Sequence, residues 1–403
     1  MTPSHPGLYV EEMGGPRAIE GVPISVAAFI GRATQGPRDT DAKASPTEVT
    51  SWAEYERIFG GLEGAGTLGY AVSQFFANGG RKALIVRVGG AGDGPIGDAD
   101  ISAPELESAG RGIWALDRAR DVNLLCIPPL AHDVGGDIGA ATRQAAAAYC
   151  RKRRAFFIAD ALSRWQSHAD VLGPGGAGGG EFGLAPDANA ALYFPFLRVA
   201  DPLQGGAAVD VAPCGAVAGI MARIDAARGV WKPPAGAEAD VRGVIGPSIA
   251  LNDLEAGELN PQAVNCLRQF PGKGTLVWGA RTWRGQTTGP DWKYVNVRRL
   301  ALFLEESIDR GTQWAAFEPN DEALWTAIRQ NVGAFLHQLF RAGAFQGARE
   351  QDAFYVRCDR TTMSQGDIDC GRLIIEIGMA PLRPAEFVII RICHMVKSLG
   401  EKR

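Results

Sequence analysis

The sequence is poor in the features that mark enzymes, membrane proteins and nucleic-acid-binding proteins. It has only five histidines in 403 residues, and no two of them have the spacing of a zinc motif such as H-E-x-x-H. No apolar run reaches the roughly 18 residues that a membrane-spanning helix requires. The net charge of −4 argues against nucleic acid as the main partner. We therefore expect neither nucleic-acid binding nor direct membrane insertion.

The cysteines and the first residues bear on the compartment of the protein. Seven cysteines are scattered through apolar segments, and no two of them form a Cys-x-x-Cys pair. An odd and dispersed set of this kind predicts reduced, buried side chains rather than disulfides. The first residues lack the basic start and the apolar centre of a signal peptide. We expect synthesis and folding in the cytoplasm, or release by a route that needs no signal peptide.

Three short motifs resemble parts of enzyme sites, but each of them is incomplete. The run 178–183 has the spacing G-x-G-x-x-G, yet more loop follows where a dinucleotide site needs a helix. The segment PGKGT (271–275) has glycine where a phosphate loop has serine or threonine, and a turn before a strand is the simpler interpretation. His132 and Asp133 could seed a catalytic triad, but no G-x-S-x-G motif accompanies them. We predict no catalytic, cofactor-binding or metal-binding residues and no cofactor. An α/β hydrolase or nucleotide-binding enzyme with atypical termini is the alternative.

From residue 96 to residue 285, short apolar strands alternate with helices. RAFFIAD (154–160) is typical of a buried strand, and the alanine-rich segment Ile138–Lys152 is typical of a helix. This alternation predicts a three-layer α/β domain with a largely parallel sheet, to which residues 22–95 add the N-terminal part of the core. Val241–Val244 is predicted as a further short strand. The glycine-rich segment Leu172–Gly183 is predicted as an exposed loop.

After residue 286 the pattern changes to helices followed by strands. Asn296–Arg310 and Asp321–Ala342 are predicted as amphipathic helices, with Asn320 as the N-cap of the second. Phe354–Asp359 and Arg372–Ala380 are predicted as antiparallel strands. Residues 286–385 are therefore predicted to form an α+β domain.

Both ends of the chain are predicted to be strands, each joined to the rest of the chain by a connecting segment. Residues 386–392 are almost continuously apolar and follow two prolines, Pro381 and Pro384, that prevent a tight hairpin. HPGLYVEEM (5–13) alternates like a short strand, and a loose segment separates it from the rest of the chain. We expect residues 1–21 and 386–403 to be arms that join the sheets of neighbouring subunits, because exposed strands recruit partners by main-chain pairing. Two such arms describe a polymer better than a closed dimer.

The C-terminal third resembles the tail sheath proteins of contractile phage tails and related contractile injection systems. The resemblance rests on YVNVRRLALFLEESIDRGTQWAAFEPNDEALWTAIRQNVGAFLHQLFRAGAFQG (294–347), DAFYVRCD (352–359) and GRLIIEIGMAPLRPAEFVIIRI (371–392), with PGKGTLVWGARTW (271–283) before them. PGLYVEEM (6–13) resembles the opening of the family. The resemblance implies that the α/β domain has the shape of subtilisin without protease activity.

The resemblance also implies a mechanism and a set of partners. Subunits of the family stack as rings, commonly sixfold, around an inner tube. Strand exchange links the subunits while the sheath collapses from a metastable extended form, without nucleotide hydrolysis. The implied partners are other copies of the chain, the inner tube protein, and baseplate and tail terminator or cap proteins. The implied location is a phage virion tail or a released or cell-associated contractile particle, made in the bacterial cytoplasm.

Three groups of residues are predicted to carry these contacts. The predicted inter-subunit arm residues are Gly7, Leu8, Tyr9, Val10, Glu11, Glu12, Met13, Glu386, Phe387, Val388, Ile389, Ile390, Arg391, Ile392 and Cys393. The predicted arm-accepting residues are Phe354, Tyr355, Val356, Leu373, Ile374, Ile375 and Ile377. The predicted tube-facing residues are Arg298, Arg299, Glu305, Glu306, Asp309, Arg310, Arg329 and Arg341, because exposed charges form the weak contacts that contraction must release.

Overall fold

A computed structural model of the chain describes residues 18–41, 46–89, 96–132, 135–174, 180, 182–284 and 291–386. The strands are β1 (Ala27–Gly31), β2 (Thr47–Val49), β3 (Ala83–Arg87), β4 (Leu124–Cys126), β5 (Phe156–Asp160), β6 (Ala190–Phe194), β7 (Leu197–Asp201), β8 (Ala207–Val211), β9 (Gly246–Pro247), β10 (Val264–Phe270), β11 (Gly274–Trp278), β12 (Phe354–Arg357) and β13 (Glu376–Met379). The α-helices are α1 (Trp52–Phe59), α2 (Leu68–Ala77), α3 (Asp98–Ser102), α4 (Glu105–Ala109), α5 (Ala140–Lys152), α6 (His168–Leu172), α7 (Cys214–Arg228), α8 (Asp253–Leu259), α9 (Val295–Gly311), α10 (Glu322–Arg341), α11 (Glu350–Ala353) and α12 (Gln365–Asp369).

An eight-stranded sheet forms the centre of the larger domain. Its strand order is β11-β10-β6-β5-β4-β1-β3-β2, and the six strands from β10 to β3 run parallel to their neighbours. The edge strands β11 and β2 are antiparallel to the strands beside them. β1 and β3 lie inside this sheet, so the sheet takes strands from both sides of the glycine-rich run 89–97. A small antiparallel sheet, β8-β7-β9, stands apart from it.

Apolar side chains cover both faces of the large sheet. Successive residues of a strand point to opposite faces, and in β1 Ala28 and Ile30 join one buried cluster while Ala27 and Phe29 join the other. α5 packs on the first face, and α2 and α7 pack on the second. Strands buried on both faces are typical of parallel sheets. The predicted three-layer α/β architecture is therefore confirmed.

Some predicted elements differ from the structure. Val241–Val244 forms no strand; instead the neighbouring Asp240 makes an isolated bridge to Leu276 of β11. β10, the longest strand of the sheet, was not predicted, and neither were the shorter elements β2, β7, β8, β9, α3, α4, α6, α8, α11 and α12. Of the six described cysteines all are free, and five are buried as predicted, whereas Cys370 is exposed. Among the residues that the structure describes, no helix has both the length and the apolar character needed to cross a membrane.

α9 and α10 organise the C-terminal domain, as predicted. Leu300, Leu304 and Ile308 of α9 pack with Ile328 and Val332 of α10 in a third buried cluster. The predicted N-cap of α10 is wrong by one residue. Asp321 caps the helix by accepting the backbone N–H of Leu324 at 3.0 Å, while the side-chain oxygen of Asn320 accepts the indole N–H of Trp325 at 2.7 Å. The aspartate also suits the positive end of the helix dipole.

The glycine-rich segment 172–183 is less exposed than predicted. Its aromatic residue, Phe182, is completely buried. The ring lies 5.8 Å from Trp165 and 5.1 Å from Trp283, measured between centroids, and the guanidinium of Arg143 lies over it at 4.7 Å. The prediction of an exposed loop is wrong at this end, because one aromatic residue buries enough apolar surface to fix the chain after the glycines.

A buried carboxyl group lies where β5 ends and α7 begins. Asp160 accepts the backbone N–H of Cys214 at 2.8 Å, and its second oxygen has no hydrogen-bond partner. Burial raises the pKa of Asp160 to about 7, and the nearby Asp137 acts in the same direction. The protonated form is therefore favoured in the folded chain at pH values where an unfolded aspartate is ionised.

This pKa predicts a pH-dependent stability that Asp160→Asn should remove. Because the native pKa lies above the unfolded value of about 3.9, the stabilisation is complete below that value and is lost as the pH rises towards 7. We expect the melting temperature of the wild-type chain to fall between pH 5 and pH 8 more steeply than that of the Asn variant, whose side-chain oxygen can still cap α7. Parallel melting curves for the two proteins would contradict this assignment.

Candidate assembly surface

The C-terminal domain ends in a two-stranded antiparallel sheet. In β12 and β13 Phe354 pairs with Met379, and Arg357 pairs with Glu376. Within the described ranges neither strand has a second neighbour in this sheet, so each leaves one edge unpaired. Isolated two-stranded sheets are marginally stable in water, and unpaired edges recruit further strands.

The two faces of this small sheet differ. Phe354 points into the buried cluster between α10 and the sheet, whereas Tyr355 is exposed. The Tyr355 hydroxyl donates to Glu376 at 2.7 Å, and its ring crosses directly over Gly378 on the paired strand, where any added Cβ would lie 2.0 Å from the ring. Arg357 lies over the same ring at 4.8 Å. These contacts fix the register of the pair and leave its edges open.

The predicted arm-accepting residues divide between this sheet and the segment before it. Phe354, Tyr355, Val356 and Ile377 lie in β12 and β13. The predicted strand is too long at its start, because Leu373, Ile374 and Ile375 precede β13 and belong to no strand. The chain leaves α12 through Gly371, whose φ is +70°, and the carbonyl of Ile374 accepts the hydroxyl of Thr362 at 3.2 Å. The acceptor role of all seven residues stays a prediction.

Of the predicted arm residues, only Glu386 lies within the described part of the chain; Gly7–Met13 and Phe387–Cys393 lie outside it. Glu386 accepts two hydrogen bonds from the guanidinium of Arg281, both at 2.8 Å, and one from the hydroxyl of Tyr294 at 3.0 Å. Burial alone would raise the pKa of Glu386, but the paired Arg281 outweighs it and holds that pKa below its ordinary value. The segment that is predicted to form the C-terminal arm thus starts from a fixed point on the α/β domain.

Arg281 was missed in the sequence analysis. It follows β11 in the segment LVWGARTW, where it is the only charged residue in an otherwise apolar and small-residue run. Its side chain is 10% exposed, and it also donates to the backbone carbonyl of Asn260 at 2.8 Å. A single arginine inside an apolar segment was the available signal for a buried ion pair.

One of the predicted tube-facing residues is buried, and its prediction is wrong. Arg299 is 4% exposed and forms an ion pair with Asp225 of α7, which is 3% exposed. Its guanidinium donates to both carboxylate oxygens, at 3.0 and 2.5 Å, and to the backbone carbonyl of Ile24 at 3.0 Å. Arg299 faces the α/β domain because α9 packs against both domains of the chain.

Several other charges of α9 pair within the chain. Arg310 binds Asp121 and Glu306, both at 2.6 Å, and Arg154 of the α/β domain binds Glu306 and Asp309 at 2.8 and 2.9 Å. This face of α9 thus contacts its own α/β domain, which leaves less of it open to another protein.

The remaining predicted tube-facing residues are partly or fully accessible. Arg298 donates to Glu305 at 3.1 Å, and Glu305 is 43% exposed. Arg329 is 30% exposed and binds Glu322 at 2.9 Å. Arg341 is exposed in the last turn of α10. The role of these residues towards a tube stays a prediction.

The incomplete enzyme motifs have structural roles. PGKGT is the turn between the antiparallel strands β10 and β11, where Gly272 and Gly274 have φ values of +72° and +76°. The exposed ring of His132 packs edge-on against Tyr70 at 4.9 Å, measured between centroids. Over the described ranges, His, Cys, Asp and Glu side chains nowhere gather in threes as a metal site would require.

Two family models match the chain. Residues 184–283 match the phage tail sheath protein central domain, and residues 287–393 match the phage tail sheath C-terminal domain. The two matches together cover just over half of the chain. They include α9, α10 and the two-stranded sheet.

Known proteins with similar sequences and structures are sheath proteins. The tail sheath protein of Vibrio phage KVP40 is 26% identical over 177 residues. The alignment spans 44% of this chain and 25% of that relative's length. The sheath complex of the extracellular contractile injection system PVC, in its contracted state, matches 98% of this chain and 99% of its own at 28% identity and a TM-score of 0.75. The contracted helical sheath of the anti-feeding prophage matches 97% of this chain and 99% of its own at 28% identity and a TM-score of 0.74. All three are sheath proteins or sheath complexes. The chain therefore belongs to the tail sheath protein family, which is found in contractile phage tails and contractile injection systems.

Proposed function

We propose that the chain is the sheath subunit of a contractile tail or injection particle. In this function it polymerises as stacked rings, commonly sixfold, around an inner tube, and it contracts to drive the tube through a target envelope. The single observation that carries the proposal furthest is the two-stranded sheet β12-β13, which has an unpaired edge on each side in the described chain. Two open edges can accept one strand from each of two neighbours.

Strand exchange suits a structure that must stay connected while its subunits move. Main-chain hydrogen bonds in a shared sheet depend little on side chains, and several of them act together. The terminal segments Gly7–Met13 and Glu386–Cys393 are the proposed donors. The ion pair between Glu386 and Arg281 supports this role, because it anchors the start of the C-terminal segment to the body of the subunit.

The proposed source of energy is the assembled lattice itself. An extended sheath of this type is metastable, and collapse to a shorter form needs no nucleotide. The proposed partners are other copies of the chain, the inner tube protein, and baseplate and terminator or cap proteins. Synthesis in the bacterial cytoplasm is part of the proposal. Among the candidate tube contacts, Arg341 is the best placed, since it is exposed at the end of α10.

The proposal is tested by removing one arm at a time. Deletion of residues 1–13, or Ile389→Pro, should give a folded subunit that forms no tubes, because proline removes a main-chain donor from a shared sheet. Ile389→Val is the matched control, since valine keeps the preference for strands and should assemble normally. The measurement is negative-stain microscopy of tubes, with and without the inner tube protein. Tubes of wild-type length and number from either arm variant would contradict strand exchange.

A further inference from the structure

The connection between α9 and α10 presents one aromatic side chain entirely to solvent. Phe317 is the most exposed large hydrophobic residue in the described chain, and its backbone has a φ of +71°. A bulky residue in this left-handed region is uncommon and strained, and such positions cluster at functional sites. Both the exposure and the backbone conformation act against stability, and neither is offset by a contact within the subunit.

The backbone around Phe317 is held in place. Three consecutive turns are closed by backbone hydrogen bonds of 2.9 to 3.2 Å. The N–H of Ala315 donates to the carbonyl of Thr312, that of Ala316 to the carbonyl of Gln313, and that of Glu318 to the carbonyl of Ala315. Trp314 packs against the buried cluster of the C-terminal domain. The exposed ring is therefore presented by an ordered turn, which reduces the entropy lost when it binds. We call the segment Ala316–Asp321, which carries the exposed Phe317, the aromatic knob.

A large open cavity lies elsewhere on the same subunit. It has a volume of about 770 Å³ and lies between α8, the end of α7, β11 and the segment after β13. Trp231 and Trp278 supply aromatic surface, and Trp278 is 45% exposed. The charged lining consists of Arg228, Lys232, Arg268, Arg383, Asp253 and Glu386. Cations thus outnumber carboxylates four to two, and the cavity is of the size that binds side chains or small ligands.

The knob and the cavity are complementary in chemistry and lie at opposite ends of one helix. Besides its aromatic ring the knob carries Glu318 and Asp321 and no lysine or arginine. Asp321 caps α10, so Glu318 is the carboxylate that the knob offers to a partner. The knob precedes α10, whereas Ala342 and Gly343, just after α10, line the cavity. The 20 residues of α10 separate the two sites by about 30 Å, so a subunit cannot fill its own cavity in this way.

We propose that the aromatic knob of one subunit docks in this cavity of a second copy of the chain. The ring of Phe317 would pack against the tryptophans, and Glu318 beside it would face the arginines and the lysine. A contact between two different surfaces of identical subunits is heterologous, and it generates rings or open helical arrays. This inference rests on the proposed sheath function and adds to strand exchange a side-chain contact that sets the spacing of neighbouring subunits along the α10 direction.

Charge distinguishes the knob from the other segment that could reach the cavity. Residues 387–403 begin at its rim, since Glu386 is a lining residue. That segment contains Arg391, Lys397, Lys402 and Arg403 against a single acidic residue, Glu401. A basic segment is disfavoured in a cavity that already has an excess of cations, whereas an acidic knob is favoured.

The first test separates assembly from folding. Phe317→Asn removes the ring, and asparagine tolerates a positive φ, so the melting temperature of the unassembled subunit should stay the same or rise. The yield of tubes formed with the inner tube protein should fall at least about tenfold, as expected for the loss of a buried aromatic anchor. Leu203→Asn is the matched control, because Leu203 is a 53% exposed hydrophobic residue outside the cavity and should not affect yield.

The cavity is tested from the other side with Gly257→Phe. Gly257 of α8 lines the cavity, and a Cβ added there meets no atom within 4 Å, so the new ring should occupy the cavity without disturbing the fold. We expect the same loss of tubes as for Phe317→Asn. Leu254→Phe adds a ring to the same helix at a residue that does not line the cavity, and it should assemble normally.

Cross-linking identifies the occupant. In a Cys370→Ser background that keeps Cys393 because it belongs to the proposed arm, tubes assembled from an equal mixture of the Phe317→Cys and Gly257→Cys subunits should give covalent dimers with a short bismaleimide, and neither variant alone should give these dimers. Normal tubes from Phe317→Asn without these dimers would overturn the inference and leave strand exchange standing. Loss of binding to the inner tube protein alone would also overturn it, because the knob would then dock on the tube. Failure of the wild-type chain to form tubes would instead reject the proposed sheath function.

Discussion

Arg299→Met is expected to lower the free energy of unfolding of the unassembled subunit by about 3–5 kcal/mol. The substitution leaves the carboxylate of Asp225 without its main partner in a site where that side chain is 3% exposed. Only the hydroxyl of Ser25, at 2.7 Å, would still donate to the carboxylate. A single unpaired charge in such a site costs more than the ion pair contributed. Urea unfolding followed by circular dichroism measures the change.

Arg298→Met is the control for this prediction. Arg298 is the neighbouring residue on α9. Its ion pair with Glu305 is partly open to solvent, and its other hydrogen bond, at 2.9 Å, is to the neutral side-chain oxygen of the buried Asn189, so the expected loss is smaller, about 1–2 kcal/mol. A double variant, Asp225→Leu with Arg299→Met, should recover much of the stability because no charge is then left unpaired. If Arg299→Met proved no more harmful than Arg298→Met, the pair would not be what holds α9 to the α/β domain.

Elements with a clear apolar pattern could be predicted from the sequence, and α9, α10 and β5 show why. Each has an apolar pattern that agrees with its burial in the structure, so local pattern and tertiary packing point the same way. β10 was missed because Asn265, Arg268 and Gln269 interrupt its apolar pattern. Asn265 is nevertheless fully buried, and its side-chain amide donates to the carbonyls of Leu192 and Arg281 at 3.1 and 2.8 Å. Partners so distant in sequence leave no local signal.

The error at Arg299 has a related cause. The sequence pattern of α9 predicted one buried apolar stripe, with the charged residues on an exposed outer face. In the structure, Val295 and Leu302 join the core of the α/β domain, while Leu300 and Leu304 join that of the C-terminal domain. A helix shared by two domains buries two faces, and Arg299 lies in the second of these. Periodicity alone reports the first face, because the second contains polar residues that are satisfied only by tertiary contacts.

The two strands of the small sheet were predicted with bounds that are too long. The sequence pattern indicated Phe354–Asp359 and Arg372–Ala380, because their apolar and β-branched residues are typical of a sheet, and the structure has Phe354–Arg357 and Glu376–Met379. The aromatic knob had no such signal. A phenylalanine between Trp314 and Pro319 gives no indication from spacing whether it is buried, and only the positive φ and the exposure distinguish it.

The second large effect is expected at Phe182. Phe182→Ala should lower the free energy of unfolding by about 3–5 kcal/mol, the usual cost of removing a buried phenylalanine ring. The ring fills the space between Trp165 and Trp283, which both lose packing when it is removed. Arg143, which is 4% exposed, lies over the ring and donates to the carbonyl of Phe182 at 2.8 Å. Removal of the ring therefore also takes away a packing contact of this buried guanidinium.

Two control variants decide whether the effect comes from this packing. Phe182→Leu keeps most of the apolar volume and should cost clearly less than the alanine variant. Leu203→Ala shortens an exposed side chain and should change stability by no more than about 0.5 kcal/mol. Proteolysis adds a second readout, because the ring anchors the chain directly after the glycine-rich run. We expect limited digestion of Phe182→Ala to cleave near residues 173–183 at protease concentrations that leave wild type and Leu203→Ala intact. A variant as stable and as resistant as Leu203→Ala would show that the buried ring does not anchor this segment, and the original prediction of a loose exposed loop would then be the better description.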